Sequence, residues 1–197
     1  MNRYNIKTTE KPIKKLLIAS DIHGSAYYCK KLIERYRAEH AERLVLLGDI
    51  LYHGPRNDLP RDYAPKEVIK MLNPLADEIL CVRGNCDTEV DQMVLDFSVM
   101  SESALIMLEG AVIYATHGHI FGEDNPPPIG RGVILLCGHT HVPVCRENNG
   151  ITYMNPGSVS IPKENSENSC MTYENGVFSW MNLDGKVYAR AEIERNY

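Results

Sequence analysis

The stretch KKLLIASD, residues 14–21, begins with two lysines, continues as an apolar run and ends on an aspartate. A short apolar run of this kind is typical of a buried strand. The spacing of residues 25–40 predicts an amphipathic helix with Ser25 as its N-cap. The run RLVLLGD, residues 43–49, is a second predicted strand that again ends on an aspartate, Asp49. Strand, helix and strand in this order predict two parallel strands joined by a right-handed crossover.

The same order continues toward the middle of the chain. Residues 50–63 are rich in proline, glycine and asparagine and are predicted to form an irregular loop. Pro65 suits the first turn of a helix, which we expect over the residues that follow it. The run EILCVRGN, residues 78–85, is the third predicted strand. We therefore expect three parallel strands in the first half of the chain.

The second half of the chain has short apolar runs and hairpin signals. Three further strands are predicted at ALIMLE (104–109), AVIYATHG (111–118) and VILLCGHTH (133–141). Hairpin turns are predicted at NNG (148–150), ENG (174–176) and DG (184–185). We expect two sheets packed face to face, with helices outside. A polar N-terminal extension over residues 1–12 is expected to precede a single domain over residues 13–197.

The composition of the chain argues against several classes of protein. Apolar residues make up 44% of its 197 residues, which is enough for a sizeable core. The net charge is -5 and basic residues are interspersed among acidic ones, so we expect no stable binding to nucleic acid. No apolar run approaches the ~20 residues that span a bilayer, so we expect no membrane association and a cytoplasmic location. The sequence is compatible with both a monomer and a homo-oligomer.

Two histidines, His139 and His141, stand one residue apart in GHTH, residues 138–141. Single histidines at strand ends more often serve packing or solubility than ligand binding. In an extended segment, however, residues i and i+2 point to the same side, so both rings are expected to face one site. Pro143 cannot donate a ladder hydrogen bond, so the strand is expected to stop near it.

Polar residues that metal ions favour recur at five predicted strand ends. These candidate ligands are Asp21, His23, Asp49, Asn85, His117, His139 and His141. The alternative, that each is a separate cap or turn former, requires five coincidences of one kind. Seven ligands are too many for one zinc ion, which takes four, so they indicate two metal ions.

A bridging Asp49 divides the seven ligands evenly. One ion can take Asp21, His23, Asp49 and His141, while the other takes Asp49, Asn85, His117 and His139. Mixed oxygen and nitrogen ligands without a thiolate favour Mn²⁺, with Zn²⁺, Fe²⁺, Ni²⁺ and Mg²⁺ as alternatives. We assign catalytic roles to Asp49, Asn85 and His117 within this set.

The order and spacing of these motifs resemble the calcineurin-like metallophosphoesterase superfamily. The motifs are D-x-H at Asp21, G-D at Asp49, GNCD from Gly84, the histidine His117, and G-H-x-H from Gly138. The segments DILYHGPRN and NPGSVSIP are similar to the branch of small YfcE-type phosphodiesterases. The resemblance implies a four-layer α/β/β/α sandwich of two mixed sheets flanked by helices, and the ligand assignment given above.

Hydrolysis of a phosphoester is the chemistry that this resemblance implies. Two ions ~3.5–4 Å apart can activate a water and clamp the attacking and leaving oxygens. A diester monoanion balances the charge of two dications, two aspartates and a hydroxide, whereas a monoester dianion exceeds it. We therefore expect a small phosphodiester as substrate. The alternatives are a phosphomonoesterase acting on protein or nucleotide, and a scaffold like the retromer subunit of this fold, which loss of a ligand would favour.

The chain departs from the family pattern at Cys86, where many relatives have a histidine that serves the leaving group. We favour a packed, inert thiol here, because no cationic residue is evident beside it. Asp87 would ordinarily orient that histidine, and in this chain either a loop or a nearby ring is its expected partner.

The sequence does not decide whether four polar residues near the motifs contribute to the site. His53, Arg56 and Asn57 follow Asp49 in the long loop, where they either bind phosphate and shape the pocket or form a solvated turn. His119 lies two residues past His117. The family pattern uses only the first of these two histidines, so His119 is left out of the ligand set.

Overall fold

The computed structural model describes residues 13–108 and 110–193 of the chain. The predicted extension over residues 1–12 lies outside the described residues. The strands, in chain order, are β1 (Lys15–Ala19), β2 (Arg43–Leu46), β3 (Ile79–Cys81), β4 (Ser103–Leu108), β5 (Ala111–Thr116), β6 (Ile134–Leu136), β7 (Pro143–Asn148), β8 (Ile151–Pro156), β9 (Ser169–Glu174), β10 (Val177–Asn182) and β11 (Val187–Glu192). The helices are α1 (Ala26–Ala38), α2 (Pro65–Leu72) and α3 (Glu89–Gln92), and a 3₁₀ helix covers Asn73–Glu78.

The strands form two mixed sheets. The six-stranded sheet has the order β11-β10-β9-β1-β2-β3, in which β1, β2 and β3 are parallel as predicted. The five-stranded sheet has the order β4-β5-β6-β8-β7, in which β5, β6 and β8 are parallel. The three predicted hairpins join β7 to β8, β9 to β10 and β10 to β11. The predicted α/β fold of two mixed sheets is confirmed.

Helix α1 begins where the sequence predicts it. The Ser25 side chain accepts a hydrogen bond from the Tyr28 backbone N–H at 3.3 Å, as expected of an N-cap. Pro65 is the first residue of α2, where its missing N–H costs no helical hydrogen bond. Both helices pack on one face of the six-stranded sheet, where Leu17 of β1, Leu32 of α1 and Val68 of α2 share a buried cluster.

A second buried cluster fills the space between the sheets. Ile18 and Val45 of the six-stranded sheet lie in one cluster with Ile113, Leu136 and Met154 of the five-stranded sheet. Alternate residues of β1 thus serve both clusters, because successive side chains of a strand point to opposite faces. A strand buried on both faces explains why residues 16–19 form an unbroken apolar run.

The outer face of the five-stranded sheet has a different cover from the expected helices. In the described part of the chain, every helix precedes β4. Leu135, Cys137 and Tyr153 on this face pack instead against Ile129 of the loop that follows β5. Residues 126–128 of that loop are three consecutive prolines, which lack the N–H groups that a helix requires.

Loops at one end of both sheets bring the candidate ligands together. The Asp21 N–H donates to the Gly48 carbonyl at 3.1 Å, which joins the loops after β1 and β2. The Gly138 N–H donates to the His117 carbonyl at 2.8 Å, which joins the loops after β5 and β6. None of the described helices is long and apolar enough to cross a membrane.

Candidate metal centre

Three of the predicted ligands form a tight buried cluster, which we call the inner group: Asp21, His23 and His141. The Asp21 Oδ1 atom lies 3.5 Å from His23 Nε2 and 3.2 Å from His141 Nε2. The two Nε2 atoms are 3.3 Å apart. All three side chains are almost fully buried. The inner group therefore directs one carboxylate oxygen and two ring nitrogens at a common point.

The remaining histidines and the asparagine form an outer group: Asn85, His117 and His139. His117 Nε2 lies 3.1 Å from Asn85 Oδ1 and 3.3 Å from His139 Nδ1. His117 is fully buried, whereas His139 is partly exposed and Asn85 is exposed. The outer group thus has its own convergent donors but opens toward solvent.

Asp49 lies between the two groups. Its Oδ2 atom is 3.6 Å from His23 Nε2 in the inner group and 3.5 Å from His117 Nε2 in the outer group. Its Oδ1 atom accepts the Cys86 backbone N–H at 2.8 Å, which fixes the carboxylate plane. The structure therefore brings all seven predicted ligands together, with Asp49 in the position that a bridge requires.

Backbone carbonyls orient three of the four candidate histidine ligands. The Nδ1–H groups of His23, His117 and His141 donate to the carbonyls of Tyr52 (2.8 Å), Leu47 (2.6 Å) and Ile161 (2.6 Å). Each of these bonds leaves the Nε2 lone pair free for an ion, as is usual for metal-binding histidines. His139 instead turns Nδ1 toward the centre.

The backbone around the ligands is strained in a way that the sequence analysis missed. Asp21, His23, Asp49, His139 and His141 all have φ between 49° and 67°, the left-handed region that side chains rarely adopt. The prediction that His139 and His141 lie in an extended segment is therefore wrong. Strand β6 ends at Leu136, and left-handed turns aim the two rings at different groups. Pro143 begins β7.

Two glycines permit the loops after β2 and β3 to touch. Gly48 has a φ of 92°, and a Cβ there would overlap the backbone of Gly84. A Cβ at Gly84 would overlap the Asp49 carboxylate. The glycines of the G-D and G-N motifs are thus needed for the position of Asp49.

The buried side chain of Asp87 joins these same two loops. Its carboxylate accepts the backbone N–H groups of Asp49 and Ile50, both at 2.8 Å, and that of Gly84 at 2.7 Å. Burial raises its pKa, and these hydrogen bonds oppose that rise. Of the two partners left open by the sequence, the loop is the one observed.

Two serines of the segment after β8 also support the site, and the sequence analysis missed their role. The hydroxyls of Ser158 and Ser160 donate to the backbone carbonyl of Asp21 at 3.1 Å and 3.0 Å. Both side chains are buried. The only signal in the sequence was the density of polar residues in NPGSVSIP, directly after an apolar strand.

The charges around the site give the histidines different pKa values. Burial lowers the pKa of His117, but the hydrogen bond to Asp49 and the charge of Asp21 raise it to about 9. Burial and the charge of His117 lower the pKa of His139 to about 4. Burial raises the pKa of Asp21, but its contacts with His141 and His23 bring it well below the usual value. The two buried carboxylates therefore stay charged beside these imidazoles.

The donor set fits divalent metal ions. Asp21 Oδ1 is buried and has no hydrogen-bond partner, although it points at two imidazole nitrogens. A buried carboxylate oxygen is normally satisfied, so an orphan aimed into a cluster of ring nitrogens is explained by a cation. Metal groups of this kind are formed by Asp21 with His23 and His141, and by Asp21 with Asp49 and His117.

The remaining candidates take different positions. Arg56 and Asn57 line a cavity of about 460 Å³ in front of the ligands, together with Cys86. His53 packs against the rings of Tyr52 and Tyr63, so it supports the loop instead. His119 is exposed, and its ring centroid lies 5.4 Å from that of His117.

Cys86 is a buried thiol at the floor of this cavity. Burial and the charge of Asp49 raise its pKa. Its Sγ accepts a hydrogen bond from the Asn85 side chain at 3.2 Å. A thiol held neutral in this way is a poor nucleophile and a poor acid. The expectation that it is inert stays a prediction.

Imidazoles and carboxylates gathered around two adjacent points between two mixed sheets are the arrangement expected of the metal-dependent hydrolases of the α/β type.

Comparison with known proteins identifies the family. Residues 15–175 match the calcineurin-like phosphoesterase superfamily domain, and the chain belongs to this superfamily. Phosphodiesterase YfcE from Escherichia coli K12 is 44% identical over 180 residues, which cover 91% of this chain and 98% of the relative. The solved structure of the E. coli protein matches with a TM-score of 0.88 and covers 91% of this chain and 100% of that chain.

Two more distant proteins are also similar to this chain. The probable metallophosphoesterase YsnB of Bacillus subtilis is 25% identical over 156 residues, covering 75% of this chain and 76% of the relative. Vacuolar protein sorting 29 of Cryptosporidium parvum is 18% identical, with a TM-score of 0.60 and coverage of 94% of this chain and 100% of that chain. This last likeness concerns the fold alone.

Proposed function

We infer that the chain is a phosphodiesterase that hydrolyses small phosphodiesters at a centre of two divalent metal ions in the cytoplasm. One observation carries this proposal: Asp49 Oδ2 lies within 3.6 Å of an imidazole nitrogen of each ligand group. A carboxylate at that position can serve two ions at once. The inner group and the outer group then supply the remaining ligands of one ion each.

The ions, when bound, would supply an activated water and positive charge for the phosphate. The protein supplies the rest. Carbonyl tethers hold the Nε2 atoms of His23, His117 and His141 toward the centre, and Asp87 holds the loop that carries Asp49. Asn85 is exposed at the edge of the cavity, where its amide can donate to a phosphoryl oxygen. We therefore keep Asp49, Asn85 and His117 as the catalytic assignment.

Charge balance and the family comparison both support a diester. Two divalent cations with Asp21 and Asp49 leave two positive charges, which one hydroxide and one diester monoanion neutralise. A monoester dianion would add one negative charge too many. The E. coli relative is named a phosphodiesterase, and it shares 44% of its residues with this chain over the aligned length. We propose Mn²⁺ as the metal, because imidazole and carboxylate ligands without thiolate suit it.

The test compares metal-free and reconstituted protein on two substrates. Chelator-treated protein should be inactive toward bis(4-nitrophenyl) phosphate and should recover with Mn²⁺. Turnover of 4-nitrophenyl phosphate under the same conditions should be slower. Faster turnover of the monoester would favour a phosphomonoesterase, and full activity in protein verified to be metal-free would exclude the mechanism. Binding of two ions without turnover of either substrate would favour a scaffold.

A further inference from the structure

A second cavity, of about 660 Å³, adjoins the one in front of the candidate ligands. Both cavities are lined by His139 and Thr140, so they meet beside the outer group. A diester has two ester arms that leave its phosphorus in different directions. If the phosphate lies at the metal centre, each cavity offers space for one arm.

The smaller cavity carries positive charge on its walls. Arg56 of the loop after β2 and Lys163 of the turn after β8 both line it, and both are exposed. Among the residues that the structure describes, neither has a carboxylate within ion-pair distance. Apart from the ligand carboxylate of Asp49, its lining contains no acidic residue.

The larger cavity carries negative charge. Glu123 forms an ion pair with Arg146, so these two residues neutralise each other. Asp124 and Glu164 also line the cavity and are exposed. In the described ranges, no cation lies within ion-pair distance of either carboxylate. The larger cavity therefore keeps two uncompensated negative charges.

One turn contributes a residue of opposite charge to each of the two cavities. Lys163 lines the smaller cavity and the next residue, Glu164, lines the larger one. The Lys163 backbone N–H donates to the carbonyl of His141 at 3.2 Å, which fixes this turn to the inner group. The turn that carries these two opposite charges is therefore fixed to the candidate metal centre through its backbone.

We propose that the cleft is polarised and selects unsymmetrical phosphodiesters. An arm with an anionic group lies between Arg56 and Lys163, and an arm with an uncharged or cationic alcohol lies beside Asp124 and Glu164. This inference rests on the proposed function, because it places the phosphate at the metal centre. A diester with two anionic arms must put one of them beside the carboxylates, which disfavours it.

The test measures binding of three dialkyl phosphates to Mn²⁺-loaded protein by calorimetry: dipropyl, 2-aminoethyl propyl and 2-carboxyethyl propyl phosphate. Each dissociation constant is divided by that of the dipropyl ester. The double variant Asp124→Asn with Glu164→Gln should weaken the aminoethyl ester about two- to fivefold relative to dipropyl. Arg56→Gln with Lys163→Gln should weaken the carboxyethyl ester by a similar factor. Both effects should shrink in 0.5 M salt, because exposed charges are screened.

Matched controls remove one charge outside the cleft. Glu147→Gln and Lys66→Gln are exposed and line neither cavity, so they should leave both ratios unchanged. Unchanged ratios in the two double variants would overturn the proposal, as would the same loss for both charged esters in one variant. Turnover of bis(4-nitrophenyl) phosphate is followed separately. Its absence alongside shifted ratios would contradict the proposed function while leaving the polarised cleft in place.

Discussion

The inner and outer groups of the candidate metal centre use the same residue types but differ in how firmly they are held. The inner group is buried, and both of its histidines donate Nδ1–H to backbone carbonyls. In the outer group only His117 has such a tether, while Asn85 is exposed and His139 is partly exposed. Ligands that are already oriented lose less entropy on binding an ion.

This difference assigns distinct roles to the two groups. The inner group should hold its ion tightly and act as a fixed part of the protein. The outer group should exchange its ion more readily, and it faces both cavities through His139. The smaller cavity is also lined by His23 and His141 of the inner group, so both groups border the space in front of the site.

Substitution of Asp49 should affect both groups at once, because its Oδ2 lies between them. Asp49→Asn removes a negative charge that two cations would share, and we expect kcat to fall by at least about 10²-fold. Metal analysis after dialysis should show fewer than two ions per chain, and the thermal unfolding transition should remain cooperative. Two retained ions with near-normal turnover would show that Asp49 does not bridge the ions.

A matched pair of histidine variants separates the two groups. His141→Ala removes a buried, tethered ligand, and His139→Ala removes a partly exposed one from the same turn. His139→Ala should weaken the binding of one ion, and excess Mn²⁺ should restore much of the turnover. His141→Ala should lose turnover that excess Mn²⁺ does not restore. Equal rescue of both variants would contradict the division into inner and outer groups.

Much of this centre could be predicted from the sequence because strand ends are visible in it. Asp21 and Asp49 follow apolar runs, and parallel strands end at the same edge of a sheet. The left-handed turns at His139 and His141 were not predicted, because most histidines have a negative φ and the residue type alone does not reveal the exceptions. The supporting bonds of Ser158 and Ser160 join residues more than 130 positions from Asp21, and no local pattern encodes them.

The same limit applies to the outer layer of the fold. The three prolines at 126–128 disfavour a helix in this loop, but they do not show that the loop covers the outer face of the five-stranded sheet. Which segment covers a sheet depends on packing between residues distant in sequence, such as Ile129 against the cluster that contains Tyr153. Local periodicity carries no information on such contacts.

Asp87 offers a smaller test, because it supports Asp49 from outside the ligand set. Asp87→Asn replaces one acceptor oxygen with an NH₂ group that faces backbone donors. We expect about 1–3 kcal/mol of lost stability, weaker Mn²⁺ binding and lower kcat. Asp91→Asn is the matched control, since it weakens the capping box of α3 without any contact to Asp49. Equal Mn²⁺ affinity in the two variants would show that Asp87 serves only the fold.

The smallest effect is expected at Cys86, a buried residue whose backbone N–H donates to the Asp49 carboxylate. If the ions activate the nucleophile and position 86 influences only the leaving oxygen, Cys86→Ala should keep both ions and most of its turnover of activated aryl diesters. Cys86→His should help poor alkoxide leaving groups more than aryl ones, since a placed general acid contributes ~10²–10⁴-fold. The gain should stay below that range, because the Asp87 carboxylate is already occupied by three backbone N–H groups and is not free to orient the new ring.

The informative quantity is the ratio of kcat/KM for an alkyl diester to that for an aryl diester, measured in the wild type and both variants. Metal content serves as the control, because Cys86 Sγ lies close enough to His23 and Asp49 to form a metal group with them. A higher ratio in Cys86→His at unchanged metal content would place position 86 on the leaving-group side of the phosphate. Near-complete loss of aryl turnover in Cys86→Ala with two ions retained would make the thiol a participant in the chemistry.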